Sequence, residues 1–264
     1  MSIIRTLGKI KEQKPLIHHI TNWVTIYDCA NIVRVVGALP VMAHAPEEVE
    51  QMTSISSALV LNIGTLTVDL VRSMILAGMK ANEKKIPVVL DAVGAGATDL
   101  RTEKAKEILK KIKISILKGN SSEIGTLAGA DAETKGVEAI SVKGDVVEIA
   151  KSLAGKNGLT VVITGKEDII SNGKDVYVCK NGHPMMGKFV GSGCMAASVI
   201  GAFAAVEKDY ALASAYALSF FGIAGEIAAK TASAPDAYKA ALFDKIFDLK
   251  ENEIKEMERI EKRG

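Results

Sequence analysis

Short runs rich in β-branched residues alternate with amphipathic stretches through the first two-thirds of the chain. GALPVMA (37–43), SALVLNIG (57–64), IPVVLDAVG (86–94), ISILKGN (114–120) and LTVVITG (159–165) predict buried strands. Between them, 66–84, 102–112 and 146–156 repeat apolar residues at three- and four-residue spacing, which predicts helices laid over a sheet. The alternation implies an α/β fold with a mostly parallel sheet and crossover helices. DIISNGKDVYVCKNG (168–182) breaks this rhythm: two β-rich runs flank Asn172-Gly173, a pair suited to a tight turn. It predicts an antiparallel hairpin at the sheet edge. No strand is expected after residue 191. CMAASVIGAFAAV (194–206) and ALASAYALSFFGIAGEIAAK (211–230) have small apolar residues on nearly every face, as helices packed deep against one another do. The C-terminus reads as a charged amphipathic helix.

Four of the predicted strands end in glycine or a polar group: NIGT, DAVGAG, KGNSSE and TGKED. Turns alone select such residues. In open α/β sheets, however, ligands bind beyond the carboxyl ends of the strands, and four such endings point to one crevice.

Three glycine motifs bear on what that crevice holds. GHPMMGKF (182–189) fits GxxxxGK, but Phe189 stands where a phosphate loop needs a hydroxyl, and the segment follows a hairpin. GSGCMA (191–196) fits GxGxxA, yet it comes late and leads into another helix, unlike a dinucleotide fold; GAGATD (94–99) lacks the third glycine. The shared physics survives: amides opening a helix, unobstructed by side chains, form a cup for negative charge. Gly191, Ser192, Gly193 and Cys194 supply such a cup, suited to a transferred phosphoryl group. A helix N-terminus is expected to depress the Cys194 thiol pKa and make it a proton acceptor. A small buried cysteine that lets helices pack closely is the ordinary alternative.

With 264 residues and no linker, charge block or repeat, the chain is read as one domain, 1–264. Lys plus Arg number 33 against 31 Asp plus Glu, a balance that suits neither nucleic acid nor an anionic membrane. Cys29, Cys179 and Cys194 show no CxxC spacing and the N-terminus lacks a leader-like apolar core, so a cytoplasmic location is expected. Charged residues interrupt the apolar stretches before they reach membrane-spanning length. His18 and His19 point to opposite faces of an extended segment, and His44 and His183 have no metal-ligand spacing. Satisfied or surface imidazoles are expected throughout.

Taken in order, HHITNWV (18–24), LPVMAHAPEEVEQM (39–52), LVLNIGTL (59–66), VLDAVGAGAT (89–98), LKGNSSEI (117–124), ITG (163–165) and GSGCMAASVIGAF (191–203) resemble hydroxyethylthiazole kinases. The resemblance implies a ribokinase-like three-layer αβα sandwich, and a homotrimer with sites at subunit interfaces. It also implies ATP- and Mg²⁺-dependent phosphorylation of the primary alcohol of 4-methyl-5-(2-hydroxyethyl)thiazole. Met42 and Gly191 then match substrate-contacting positions, and Asn22 lies in the segment that frames the thiazole. Lys118 and Thr164 match ATP-contacting positions, and Asp91 and Glu123 the acidic pair associated with Mg²⁺ and phosphate. Cys194 falls where the wider group commonly carries an aspartate base. Lys118 stands where arginine is frequent, and Ala92 where proline is common. Each residue also has an ordinary role open to it: a turn cap for Asp91 or Thr164, a first-turn acid for Glu123, a snorkelling lysine for Lys118, core filling for Met42. Rival functions are a kinase for the hydroxymethylpyrimidine or another small alcohol, an ATP-dependent dehydratase of the same architecture, and a nucleotide-binding module without turnover.

Overall fold

The computed structural model describes residues 2–129, 132–135, 138–142 and 145–263. Its first half runs α1 (Ile3–Gln13), β1 (Leu16–Ile20), α2 (Ile26–Val36), β2 (Leu39–Val41), α3 (Val49–Ser54), β3 (Ala58–Asn62), α4 (Val68–Lys84), β4 (Val88–Asp91) and α5 (Asp99–Lys111). It continues through β5 (Ile116–Asn120), α6 (Ser121–Ala128), β6 (Ala132–Lys135), β7 (Glu138–Val142), α7 (Val146–Asn157) and β8 (Thr160–Thr164). The remainder is β9 (Asp168–Ser171), β10 (Val176–Cys179), α8 (Ser192–Val206), α9 (Tyr210–Ala228), α10 (Pro235–Asp248), α11 (Glu251–Met257) and β11 (Ile260–Arg263). Nine strands form one sheet in the order β11-β10-β9-β8-β5-β4-β3-β1-β2, parallel from β8 to β2 and antiparallel from β8 to β11. β6 and β7 pair separately.

Strand side chains alternate between two cores, as the period of two requires. Val60, Val89, Ile116, Val162 and Ile170 pack with α1, α2, α8, α9 and α10, while Leu59, Leu61, Leu90, Leu117 and Val161 pack with α4, α5, α6 and α7. The result is the expected three-layer αβα sandwich. α8 lies directly on β3: a Cβ on Gly201 would come within 2.5 Å of Val60 Cγ2, so only glycine permits this approach. Seven residues back along α8, about two turns, that seating carries Cys194 to the carboxyl end of β3. Among the described residues α9 alone is long and apolar enough to cross a membrane, and most of its surface is packed inside the protein.

The predicted hairpin forms as β9 and β10 with Ser171 opposite Val176, and the Asn172 carboxamide oxygen accepts the Lys174 and Asp175 N–H groups across the turn. It is not the edge of the sheet. β11 pairs with β10 outside it, which also overturns the expectation of no strand after residue 191; the expected charged helix forms as α11, just ahead of that strand. Ile260-Glu261-Lys262-Arg263 carries no apolar alternation, since this strand is held by its ladder and by the ion pairs Lys180–Glu261 at 2.5 Å and Lys262–Asp175 at 2.8 Å. The remaining unpredicted strand of the main sheet, β1, holds His18 and His19. Both imidazoles are buried and satisfied: His18 meets Thr53 Oγ1 at 2.9 Å and the Ala43 carbonyl at 2.7 Å, and His19 meets Ser198 Oγ at 3.1 Å.

Candidate functional site

The carboxyl ends of β1, β3, β4 and β5 deliver Asn22, Asn62, Asp91 and Lys118 to one place, and the start of α8 closes over them. β4 and β5 are in register with Asp91 opposite Lys118. Both side chains are buried, at 0% and 4% exposure, and the ammonium donates to Asp91 Oδ1 at 3.0 Å. Asp91 Oδ2 accepts the Asn62 amide at 2.8 Å. That amide and the Asn22 amide each donate to Cys194 Sγ at 3.3 Å. The helix start faces the ammonium: a Cβ on Gly193 would lie 3.2 Å from Lys118 Nζ. Gly191 caps α8 at φ +103°, a left-handed conformation that an L side chain rarely adopts.

Burial works against the Lys118 charge, but Asp91, Glu123 and Cys194 around it hold its pKa above the ordinary lysine value. Burial pushes the Asp91 carboxyl up, with Lys118 and Asn62 drawing it back. Glu123, one helical turn past β5, closes a capping box with Asn120 and is buried, with Oε1 accepting the Gly94 N–H and Oε2 the Asn120 N–H, each at 2.7 Å. Burial raises its pKa as well. A fixed ammonium, two buried carboxyls, a thiol and open helix amides form a site for a polyphosphate whose terminal group meets a nucleophile.

The hydroxyethylthiazole kinase family model matches residues 7–252 of this chain. The chain belongs to the hydroxyethylthiazole kinase family. A hydroxyethylthiazole kinase from Methanosarcina mazei is 57% identical over 255 residues, covering 97% of this chain and 98% of that one. The structure of a hydroxyethylthiazole kinase protein from Pyrococcus horikoshii OT3 superposes with a TM-score of 0.91 at 39% identity, covering 99% of each chain. A ribokinase-like superfamily protein from Enterococcus faecalis V583, 12% identical with a TM-score of 0.65 over 94% of this chain and 95% of that one, shares the fold alone.

Set against the family pattern, Asn22, Asp91, Lys118, Gly193 and Cys194 converge as expected. Gly191 and Ser192 open the same helix, and Glu123 joins through the Gly94 turn and through Gly119, where a Cβ would meet Glu123 Oε2 at 3.0 Å. Thr164 ends β8 and its hydroxyl donates to the Gly119 carbonyl at 3.4 Å, which sets it beside the β5 turn that holds Glu123. Met42 follows β2, three strands from Asp91, half-buried and outside the hydrogen-bonded cluster. One expectation is overturned. The Cys194 thiol is raised in pKa, not depressed: burial and the neighbouring Asp91 outweigh Lys118 and the donors around the sulfur. Helix position alone does not set a thiol pKa once the group leaves water. GHPMMGKF forms a 3₁₀ turn over Pro184–Lys188, in keeping with its rejection as a phosphate loop.

Asp91 and Glu123 also bear on Mg²⁺. All four of their carboxylate oxygens already accept a hydrogen bond, and the described residues contain no cluster of three His, Cys, Asp or Glu side chains able to hold a metal. This donor set fits Mg²⁺ carried mainly by its own waters and by substrate phosphates, the usual arrangement for that ion.

Sequence reasoning missed Asn62 and Arg101. Asn62 was visible only as the polar end of NIGT. Arg101, on α5, donates from Nη1 to the Ile63 and Val93 carbonyls at 3.0 and 3.1 Å and from Nη2 to the Gly64 carbonyl at 2.9 Å. It clamps the loops after β3 and β4 together. Its charge-assisted bonds predict that Arg101→Leu lowers the unfolding free energy by about 3 kcal/mol and speeds amide exchange at Gly64 and Gly94. Urea titration and hydrogen exchange read both; unchanged exchange at the two glycines would remove the clamp.

Asp168, opening β9 beside Thr164, accepts the Gly165 N–H at 3.0 Å. Burial pushes its pKa up to about 7, with Gly165 and Lys118 opposing. A carboxyl whose folded pKa is raised binds its proton longer in the folded state, so stability falls as pH rises from about 4 to about 7. Asp168→Asn removes that dependence. The stability of the variant relative to wild type is expected to grow by about 4 kcal/mol between pH 4 and pH 8, measured by thermal unfolding across that range.

Proposed function

We propose that this chain transfers the γ-phosphoryl group of ATP to the primary alcohol of 4-methyl-5-(2-hydroxyethyl)thiazole, giving the thiazole phosphate used for thiamine. The observation that carries the chemistry is the apposition of the Gly193 backbone to Lys118 Nζ, with Cys194 Sγ tied through Asn62 to Asp91. Close family relatives over the whole chain support the thiazole alcohol as acceptor.

The amides of Gly191 to Cys194 receive the transferred group, and the Lys118 ammonium neutralises charge that builds on its oxygens. Asp91 holds Lys118 in place. Asp91 and Glu123 would hold Mg²⁺, which would supply positive charge to neutralise the phosphates. Thr164 lies on the ATP side, Asn22 and Met42 on the thiazole side. Cys194 Sγ, as the thiolate, takes the proton of the alcohol; the raised pKa keeps that form a minor one, but the transition state of phosphoryl transfer is loose and asks little of the base.

We also propose a homotrimer with sites at subunit interfaces and a cytoplasmic location. Trp23, Val24, Tyr27 and Val190 are large, apolar and exposed, and flank the Asn22 and Gly191 segments of the site, which supports burial against a neighbouring subunit. Three free cysteines suit a reducing compartment. Light scattering of the purified protein tests the assembly.

The deciding experiment supplies purified protein with Mg-ATP and either the thiazole alcohol or the hydroxymethylpyrimidine, and follows the phosphorylated product. Phosphorylated thiazole is expected. Phosphorylated pyrimidine alone, or free phosphate released without a phosphorylated alcohol, would replace the reading with a pyrimidine kinase or a dehydratase.

A further inference from the structure

We propose that Asn62 is a positioning residue for phosphoryl transfer: with Asn22 it surrounds the Cys194 sulfur with N–H donors, holding it ready to accept the proton of the alcohol. The amide orientations follow from backbone donors. The Gly64 N–H can only donate, and it lies 2.9 Å from Asn62 Oδ1; the Thr25 N–H lies 3.0 Å from Asn22 Oδ1. Both NH₂ groups are therefore turned toward the site. Asn22 gives one N–H to Asn62 Oδ1 at 3.0 Å and the other to Cys194 Sγ. Asn62 gives one to Asp91 Oδ2 and the other to Cys194 Sγ. Every donor of both amides is used, and the cluster has a single arrangement.

The sulfur needs this support. It is partly buried at the start of α8, close to the Asp91 carboxylate, and both circumstances disfavour a thiolate. Two N–H donors oppose them and fix the side-chain rotamer. The charged and titratable groups facing the thiol are Asp91 on β4, Lys118 on β5 and Cys29 on α2. In the transfer, the alcohol O–H bond breaks and its proton goes to the Cys194 thiolate, forming S–H. The oxygen pair forms the new O–P bond, and the γ-phosphorus bond to the bridging oxygen breaks with its electrons leaving on ADP. Asn62 touches none of these atoms in the substrates; it acts through Cys194.

This proposal rests on the kinase reading for its alcohol, but its test needs no substrate. Cys29 and Cys179 are buried, so iodoacetamide reads Cys194. In Asn62→Ala the alkylation rate of the folded protein at pH 7.5 is expected to fall about tenfold, its pH midpoint moving up by about one unit, as loss of one donor to a desolvated anion implies. In Asn62→Asp the acceptor for Gly64 is kept while both N–H donors are lost and a second carboxylate is set beside the sulfur, so the shift is expected to be larger. kcat falls with alkylation while KM for ATP is unchanged. A residue that only supports the fold would lower the melting temperature and leave the alkylation profile where it was. A wild-type profile in either folded variant overturns the proposal, and should Asn62→Ala fail to fold, Asn62→Asp carries the same comparison. Wild-type protein that makes no thiazole phosphate would instead count against the kinase reading.

Discussion

Lys118→Met is expected to lower kcat by about 10³-fold, the scale on which loss of one preorganised charge in a transition state is felt, and to destabilise the protein by about 3–5 kcal/mol. The two effects have one origin. Lys118 is the partner of a carboxylate with no exposure, so its removal strands the Asp91 charge where water cannot reach it. The protein responds by protonating Asp91, which releases the Asn62 amide from its acceptor and loosens the donors on Cys194. The double variant Asp91→Leu/Lys118→Met separates the contributions: an apolar pair of similar volume is expected to recover most of the stability and none of the turnover. Lys118→Arg keeps the charge and is expected to remain within about tenfold of wild type, the larger planar head shifting against the Gly193 backbone. Urea unfolding and Mg-ATP turnover measure the series. Activity in the apolar double variant would show that the phosphate is neutralised elsewhere.

The second large effect is expected at Gly191. A Cβ there would lie 2.7 Å from Thr25 Cγ2, and φ is +103°. Gly191→Val is therefore strained twice, by its backbone conformation and by collision with the residue whose N–H orients Asn22. Expected outcomes are a loss of at least about 2 kcal/mol in stability and a kcat/KM about 10²-fold lower. Gly191→Ala with Thr25→Ser tests the partition: removing Cγ2 relieves the collision and keeps the hydroxyl, so part of the activity returns while the cost of positive φ persists. Equal activity for Gly191→Ala with and without Thr25→Ser would mean that the collision contributes nothing.

The sequence by itself determined the sheet and the helices that cover it, because those signals are local. β3, β4 and β8 are mainly apolar runs since both faces are covered, and α4, α5 and α7 keep the helical period. Their polar endings located the crevice for the same reason: strand bodies are buried, so chemistry collects where they stop. The family resemblance added the roles of Asp91, Lys118 and Cys194.

What only the tertiary structure decided depends on distant segments. β11 shows no apolar alternation because an outermost strand needs only its ladder, and β1 hides among histidines whose partners lie 35 and 179 residues away. Asn62 and Cys194 are 132 residues apart and Asn22 and Cys194 are 172, so no spacing in the chain announces their contact. The thiol pKa reversed for a related reason. A helix terminus is legible in sequence, whereas the desolvation that outweighs it is a property of everything packed around the sulfur.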